Sequence, residues 1–175
     1  WFDKRFIFDE SFKTPLLVKW PGVIKAGTKN SQMVQNLDFA QTFLEAAGIK
    51  SPADMQGESL IPIFKGQGKN FRDAAYYHYY EYPSVHMVKR HYGIVTEKYK
   101  LVHFYYDIDE WELYDRVNDK NEMKNVYNDP KYAKVKAELH KKLAALRVKY
   151  KDSEALDKMY IAKYDELIKK GKIFR

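Results

Sequence analysis

With 175 residues, the chain can bury a core as one domain or two small units, and its 45% hydrophobic and 16% aromatic content excludes a disordered protein. It contains no cysteine, which excludes disulfides, thiolate metal sites and cysteine nucleophiles, and no apolar run is long enough to span a membrane. The net charge of +7 arises from residues 131–175, which contain 14 Lys or Arg and 6 Asp or Glu. This excess of lysine is typical of solvated helix faces. The alternative is a basic surface that binds an anionic polymer or a membrane.

The first part of the chain predicts one strand and two short helices. An apolar strand is expected over 16–20, entered through a proline and stopped by a Pro-Gly turn. A helix is expected to begin after Asp38 as N-cap, with Gln41 as its capping-box partner, and to end at Gly48 as its C′ residue. A second short helix or turn follows over 59–64.

The glycine-containing loop 66–72 is the predicted subdomain boundary, because the hydrophobic period changes beyond it. The segments that follow are rich in Tyr, Val, Ile, His and Phe, which is typical of strands. We predict a small antiparallel sheet of about four strands, over 75–82, 89–96, 98–106 and 111–114. Trp111 and Tyr114 are expected in its core.

Two helices are predicted after the sheet. Asp129 caps the first and Pro130 opens it, at a position that proline tolerates. Apolar residues then recur every three or four positions from Tyr132 to Tyr150, a stripe that would pack on the sheet. His140 of this helix is expected at the surface or as a minor part of the core. The second helix is expected over about 153–170, with one apolar face formed by Leu156, Met159, Tyr160, Tyr164 and Leu167.

Three stretches of the sequence resemble one enzyme family. The first is Asp3-Lys4-Arg5, followed by the run Thr14-Pro15-Leu16-Leu17-Val18-Lys19-Trp20-Pro21-Gly22. The second is Leu37-Asp38 to Ala47-Gly48 with Gln56-Gly57-Glu58-Ser59-Leu60-Ile61-Pro62, and the third comprises Gly93 to Leu101, Trp111 to Asp115, and Asn118 to Val126. In this order the stretches resemble the C-terminal portion of type I sulfatases, the formylglycine-dependent sulfuric ester hydrolases. They are most similar to glycan sulfatases of the N-acetylglucosamine-6-sulfatase and N-sulfoglucosamine sulfohydrolase kinds.

The resemblance implies an α/β, alkaline-phosphatase-like parent enzyme that removes sulfate from a sulfated sugar or glycosaminoglycan. This chain would be its C-terminal part: the end of the catalytic domain over 1–70, an α+β subdomain with the antiparallel sheet and a long helix over 71–150, and a Lys-rich helical tail over 151–175. The formylglycine nucleophile, made in a Cys/Ser-x-Pro-x-Arg motif, is absent from the sequence. The calcium ligands are expected upstream of Trp1, so no metal ligand is assigned in this chain. We therefore expect the chain alone to be inactive.

Lys4 is the residue that the resemblance assigns to sulfate binding. It lies eleven residues before Pro15, where the family places a lysine on the sulfate group. Sulfate transfer spreads negative charge over the sulfate and leaving oxygens, and a fixed ammonium stabilises that charge. The alternative is a surface lysine paired with Asp3 or Asp9. Arg5 is not assigned to the sulfate, because cations near such a site are often structural.

A second candidate site surrounds the loop after the Tyr-rich strand. Most tyrosines of this strand are expected in the core, although alternate residues face opposite sides of a sheet. The imidazole and cationic side chains near the loop suit sugar hydroxyls and anionic groups, and the resemblance gives this subdomain substrate contacts. The predicted substrate-binding residues are His78, His86, Lys89 and Arg90. Two alternatives remain open: His86 as an exposed residue without a role, and a zinc site formed by His78, His86 and His91.

Two other functional classes remain open. One is a freestanding carbohydrate- or polyanion-binding module without catalysis, with the aromatic residues and the basic tail as its surface. The other is a structural subdomain that covers the catalytic sheet. Nucleic acid is not an expected partner, because the aromatic residues and the positive charge lie on separate elements. The resemblance implies a sulfated glycan and the N-terminal catalytic portion of the same protein as partners, in the periplasm or outside the cell.

Overall fold

The computed structural model describes residues 3–69, 71–83 and 86–172. The chain forms two compact units, one of Pro15–Ala75 and one that joins the segment before Pro15 to the chain after Ala75. The predicted domain division at residues 70 and 150 stays a prediction. Within the described residues, no helix is long and apolar enough to cross a membrane. The elements in chain order are α1 Asp9–Phe12, α2 Asp38–Ala46, α3 Ile61–Phe64, β1 Ala74–Tyr79, β2 His91–Thr96, β3 Tyr99–Phe104, β4 Glu110–Asp115, α4 Ala133–Lys149 and α5 Glu154–Lys169, with 3-10 turns at Asp3–Arg5 and Pro130–Tyr132.

Helix α2, in the unit of residues 15–75, ends where the sequence predicts. Gly48 has a φ of +71°, in the left-handed region that favours glycine. The N–H of Ile49 donates to the carbonyl of Leu44 at 2.8 Å, and the N–H of Gly48 donates to that of Glu45 at 3.0 Å. This pair of bonds is the Schellman motif, which satisfies carbonyls that the helix end leaves open.

The predicted capping box at the start of α2 is wrong. Asp38 is itself the first helical residue, and its buried carboxylate accepts the N–H groups of Gln35 at 2.7 Å and Glu58 at 2.9 Å. Arg72 donates to both carboxylate oxygens at 2.7 Å. Burial alone would raise the pKa of Asp38, but the bonds from Arg72 and the two backbone groups lower it. Gln41, the expected partner, is buried with no described hydrogen bond on its side-chain oxygen. Asp38 therefore joins three loops instead of capping a helix.

The predicted strand over 16–20 is also wrong, because these residues lie outside any strand or helix. Leu17 is 91% exposed. A strand requires a hydrogen-bonded neighbour, and the sheet of the described chain contains only strands from β1 onward. The segment instead forms one wall of an apolar groove of about 470 Å³ within this unit, together with Phe39, Phe43, Leu60 and Phe64.

The predicted four-strand antiparallel sheet is confirmed. Its order is β1-β2-β3-β4, and β2–β3 and β3–β4 pair antiparallel. Gly93 lies opposite Val102, and Leu101 lies opposite both Ile94 and Leu113. The β-branched and aromatic composition of these segments explains why their strand character could be read from sequence.

The two faces of the sheet are covered by different parts of the chain. Helix α4 lies against β2 and β3 and buries Leu139 and Leu143. The opposite face carries Val102 and Phe104, on which the fully buried Ile7 packs. Residues 5–9 therefore form one cover of the sheet, and the C-terminal helices form the other. The centre of the sheet is a row of residues with no exposed surface, Ile94, Leu101 and Leu113.

The aromatic residues of β4 are buried to different degrees. Tyr114 is buried, as predicted, whereas Trp111 is only half-buried. The Trp111 ring stacks on His103 with centroids 4.1 Å apart and lies 5.9 Å from the ring of Tyr127. His140 of α4 is half-buried against Trp111, with centroids 4.4 Å apart.

The starts of the two C-terminal helical segments agree with the sequence, but the buried face of α5 does not. Asp129 accepts a backbone N–H of the following 3-10 turn at 2.9 Å, which confirms it as a cap. Ser153 caps α5 by accepting the N–H of Leu156 at 3.2 Å. Met159, predicted on the apolar face, is 53% exposed, whereas Asp157 is buried. This helix is held to the sheet partly by a buried charge, which a hydrophobic pattern does not reveal.

Candidate functional site

Lys4 lies in the 3-10 turn before α1, and its side chain is exposed. The alternative pairing with Asp9 is wrong, because that carboxylate is held by Lys100 at 3.0 Å and by Arg116 at 2.7 Å. The side chain of Asp3 lies outside the described residues. The role of Lys4 in sulfate binding stays a prediction, and its exposure leaves its ammonium accessible to an anion.

Arg5 stands at a point where the backbone is held. Its carbonyl accepts the hydroxyl of Tyr77 at 2.8 Å, and its guanidinium Nε lies 4.0 Å from the carboxylate of Glu81. These contacts tie the 3-10 turn to β1 and to the residues that follow it.

The loop after β1 carries His86 and Lys89. His86 is half-buried, and residues 84 and 85 lie outside the described part of the chain. The Lys89 ammonium pairs with Asp107 and donates to the hydroxyl of Tyr82 at 2.7 Å. The hydrogen bond to Asp107 is the main cause that raises the pKa of Lys89. Lys89 is therefore a charged residue whose position is fixed within this unit.

Arg90 is fully buried beside that loop. Its Nε donates to the carbonyl of Tyr82 at 2.6 Å, and its guanidinium lies over the rings of Tyr106 and Tyr164, at 5.4 and 4.9 Å from their centroids. The two terminal nitrogens have no hydrogen-bond partner among the described residues. Its predicted contact with substrate stays a prediction, and its burial favours a role in holding the backbone at Tyr82.

His78 lies on the helix-facing side of the sheet. Its Nδ1 is 2.8 Å from the carboxylate of Asp152, and its Nε2 is 2.5 Å from the hydroxyl of Tyr105. His91 lies on the opposite face, against Phe6 and Phe104. The sheet thus separates two members of the three-histidine zinc hypothesis, which is wrong for this reason. The substrate role of His78 stays a prediction.

One cluster of the described residues has the composition of a metal site: His78, Asp152 and Asp157. However, Arg147 donates to Asp157 at 2.7 Å and lies 3.4 Å from Asp152. Burial raises the pKa of Asp152, but the hydrogen bonds from His78 and Tyr76 outweigh it and lower the pKa to about 2. The Arg147 guanidinium already pairs with both carboxylates, so the cluster fits an internal ionic cluster better than a site for a divalent ion.

Calcium, which the resemblance implies, does not fit the side chains described here. Calcium takes six to eight oxygen ligands. Apart from the cluster at His78, the described residues bring together no group of three or more His, Asp or Glu side chains close enough to hold an ion. The expectation that the calcium ligands lie upstream of Trp1 stays a prediction.

Sequence reasoning missed a partly buried ionic network on the face of the sheet opposite the helices, in which Lys100 and Glu122 are buried. It consists of Asp9, Lys100, Arg116 and Glu122. The available signal was Lys100, since it occupies an inward position of a strand, in alternation with Val102 and Phe104. A lysine at such a position needs buried carboxylates as partners.

Comparisons with known proteins show that this chain is similar to the C-terminal part of sulfatases. The family model described as N-sulphoglucosamine sulphohydrolase, C-terminal, matches residues 1–149. An N-acetylglucosamine-6-O-sulfatase of Bacteroides thetaiotaomicron is 50% identical over 161 residues, which are 90% of this chain and 29% of that protein. An ulvan-active sulfatase of Formosa agariphila is 27% identical over 169 residues, covering 79% of this chain and 33% of that protein.

A solved structure is similar to this chain in both sequence and fold. It is that of a protein in complex with its substrate D-glucosamine-2-N,6-O-disulfate, and it is 51% identical with a TM-score of 0.73 over 76% of this chain and 28% of that chain. The chain spans about a third or less of the length of these relatives.

Proposed function

Because the chain belongs to the family of N-sulphoglucosamine sulphohydrolase C-terminal regions, we propose that it is the C-terminal part of an enzyme that hydrolyses a sulfate ester of a sulfated glucosamine. The observation that carries this proposal is the 50% identity, over 90% of the chain, to an N-acetylglucosamine-6-O-sulfatase. The substrate named for the similar solved protein, a disulfated glucosamine, supports the same class of sugar. A freestanding binding module has no comparable support.

The nucleophile and the metal belong to the proposed catalytic portion outside residues 1–175. When bound there, formylglycine and calcium would supply the attacking oxygen and a Lewis acid for the sulfate. This chain has no Cys/Ser-x-Pro-x-Arg motif in which formylglycine could be made, and its described carboxylates form no calcium-type cluster. Its own contribution is the placement of cations and of substrate-binding side chains.

Lys4 is the proposed sulfate-binding residue of this chain. Its ammonium is exposed, while the backbone next to it is held by the bond from Tyr77 to the Arg5 carbonyl. A positioned ammonium lowers the barrier because negative charge grows on the sulfate and leaving oxygens in the transition state. Lys4 would therefore act more on kcat than on the binding of substrate.

The loop after β1 is the proposed contact with the sugar. His86 and the fixed ammonium of Lys89 can donate to hydroxyl or sulfate oxygens. Arg90 and His78 would support this surface from within the fold, since both side chains are buried. The enzyme is proposed to meet its glycan in the periplasm or outside the cell.

Replacement of Lys4 tests the proposal in the full-length protein. Lys4→Ala is expected to lower kcat/KM on a glucosamine 6-sulfate by about 100-fold, the scale for one oxyanion-stabilising donor. Lys13→Ala is the control, because this lysine lies in the same segment and its side chain is 76% exposed. Turnover by the unaltered full-length protein supports the enzymatic proposal, and glycan binding without turnover would instead establish a binding module. Near-normal activity of a folded Lys4→Ala variant would show that the assignment of Lys4 is wrong.

A further inference from the structure

The segment that carries Lys4 is held through Asp9, whose carboxylate or backbone contacts three charged residues from later parts of the chain, the buried Lys100 and Glu122 and the half-buried Arg116. We propose that Asp9, Lys100, Arg116 and Glu122 form a positioning network that fixes Lys4 for its action on sulfate. The inference rests on the proposed function of Lys4. It assigns to the C-terminal sheet a part in the chemistry, through the placement of a residue that lies 70 positions before its first strand.

The network pairs two cations with two anions. Lys100 has no exposed surface and lies 3.0 Å from Asp9 and 2.5 Å from Glu122. Arg116 donates to both oxygens of Asp9, at 2.9 and 2.7 Å, and its Nε lies 3.5 Å from Glu122. Glu122 also accepts the backbone N–H of Asp9 at 3.1 Å. Each cation contacts both anions, so no charge of the four is left uncompensated.

Such a network constrains geometry strongly. Removing one member of a buried ion pair leaves an uncompensated charge, which is far more costly than the loss of an exposed pair. Burial alone would raise the pKa of Asp9, but Arg116 and Lys100 lower it to about 2. Asp9 is thus ionised at neutral pH, and its position is defined by both its side chain and its backbone N–H.

Each residue between Lys4 and Asp9 makes its own contact with the sheet. The carbonyl of Arg5 accepts the Tyr77 hydroxyl, and Ile7 packs with Val102 and Phe104 in the core. Phe6 lies against His91 and Phe104, with centroids 5.6 and 6.4 Å apart, and Phe8 meets Tyr114 edge-on at 5.9 Å. Residues 5–9 are buried or half-buried, whereas the Lys4 side chain is exposed. The segment therefore presents one lysine on an anchored backbone.

This arrangement matters for the reaction because a lysine side chain is long and flexible. A catalytic group displaced by about 1 Å can cost up to about 100-fold in rate, even when the altered residue is remote. A fixed backbone next to Lys4 limits the positions that its ammonium can reach. The four charges and the Tyr77 hydroxyl are positioning residues, since they act through Lys4 and not on the substrate.

A double-mutant cycle in the full-length protein tests the inference. Asp9→Asn and Tyr77→Phe are each introduced alone and together with Lys4→Ala, and kcat and KM are measured on a glucosamine 6-sulfate. We expect each single variant to lower kcat by about tenfold with little change in KM, because the position of Lys4 is disturbed. In the Lys4→Ala background we expect no further loss, since residues that act through one group are not additive.

The controls separate positioning from folding. Lys13→Ala removes the exposed partner of Asp9, 3.6 Å away, and is expected to leave kcat unchanged. Asp9→Glu is expected to restore part of the rate lost in Asp9→Asn. Tyr77→Phe removes one hydroxyl and retains the ring, so it provides the measurement if Asp9→Asn does not fold.

Failure of the positioning proposal can be distinguished from failure of the assignment of Lys4. Equal fold losses with and without Lys4, or a lowered unfolding temperature with unchanged kcat, would show that the network only stabilises the fold. That result would overturn this inference and leave the role of Lys4 intact. Full activity of Lys4→Ala would overturn the assignment of Lys4, and the positioning proposal with it.

Discussion

His91 gives a quantitative prediction of how stability depends on pH. The side chain has no exposed surface and lies among Phe6, Tyr77, Tyr79 and Phe104, with ring centroids 5.1 to 5.7 Å away. Its Nδ1 donates to the carbonyl of Lys89 at 2.7 Å, and its Nε2 has no hydrogen-bond partner among the described residues. A proton on Nε2 would place an unsatisfied donor and a charge among aromatic rings.

Burial lowers the pKa of His91 to about 4, with the bond to Lys89 opposing the shift and the charge of His78 adding to it. An unfolded chain would protonate this histidine near pH 6.5. The unfolded state therefore binds the proton first as pH falls, and stability is lost between about pH 6.5 and pH 4. The difference of about 2.5 pKa units corresponds to a loss of about 3 kcal/mol, a large part of a typical domain stability.

The assay is urea unfolding of the chain, followed by circular dichroism, at several values between about pH 7 and pH 4. His91→Asn is the matched variant, because its amide can keep the bond to the Lys89 carbonyl but cannot be protonated. Its cavity lowers stability at every pH, so only the change with pH is compared. We expect that change to be smaller in His91→Asn by about 3 kcal/mol. The same pH dependence in both proteins would refute the buried neutral state of His91.

Two further predictions concern the substrate loop and the cover of the sheet. In the full-length protein, His86→Ala is expected to lower kcat/KM for the glycan while sparing a small aryl sulfate. Arg90→Ala is expected to have the same effect, because Arg90 supports that loop. Equal losses on both substrates would indicate that these residues act in the chemistry or in folding. Gly93→Ala is expected to lower the free energy of unfolding in urea by about 1–3 kcal/mol. The reason is that an added Cβ would lie 2.5 Å from the Leu101 carbonyl oxygen and 2.9 Å from Ile7 Cδ1. An unchanged unfolding midpoint would contradict the close packing of Ile7.

The sequence predicts those elements whose signals are local. Strands β1 to β4 and their antiparallel pairing follow from the β-branched and aromatic composition of segments separated by polar turns. Helix ends follow from single residues with short-range roles, such as Gly48 and Asp129. In each case the partner lies within a few positions of the residue that predicts it.

The sequence does not predict contacts between distant residues. Asp38 has the spacing of a helix cap, but Arg72 and Glu58 compete for its carboxylate, and neither is local. Leu16 to Trp20 has the composition of a strand, yet composition does not supply the neighbouring strand that a ladder requires. For the candidate site, the exposure of Lys4 could be anticipated, whereas the burial of Arg90 could not, because the carbonyl and rings that receive it come from three separate segments.

Both faces of the sheet are joined to the segments that cover them by ion pairs. On one face Lys100 and Arg116 meet Asp9 and Glu122, and on the other Arg147 and His78 meet Asp152 and Asp157. Apolar packing alone tolerates small shifts of one layer over another, whereas buried charges are satisfied in only one arrangement. The first network fixes the segment that carries Lys4, and the second fixes α5 and the turn before it. Each cover of the sheet is thus held by ion pairs as well as by apolar packing.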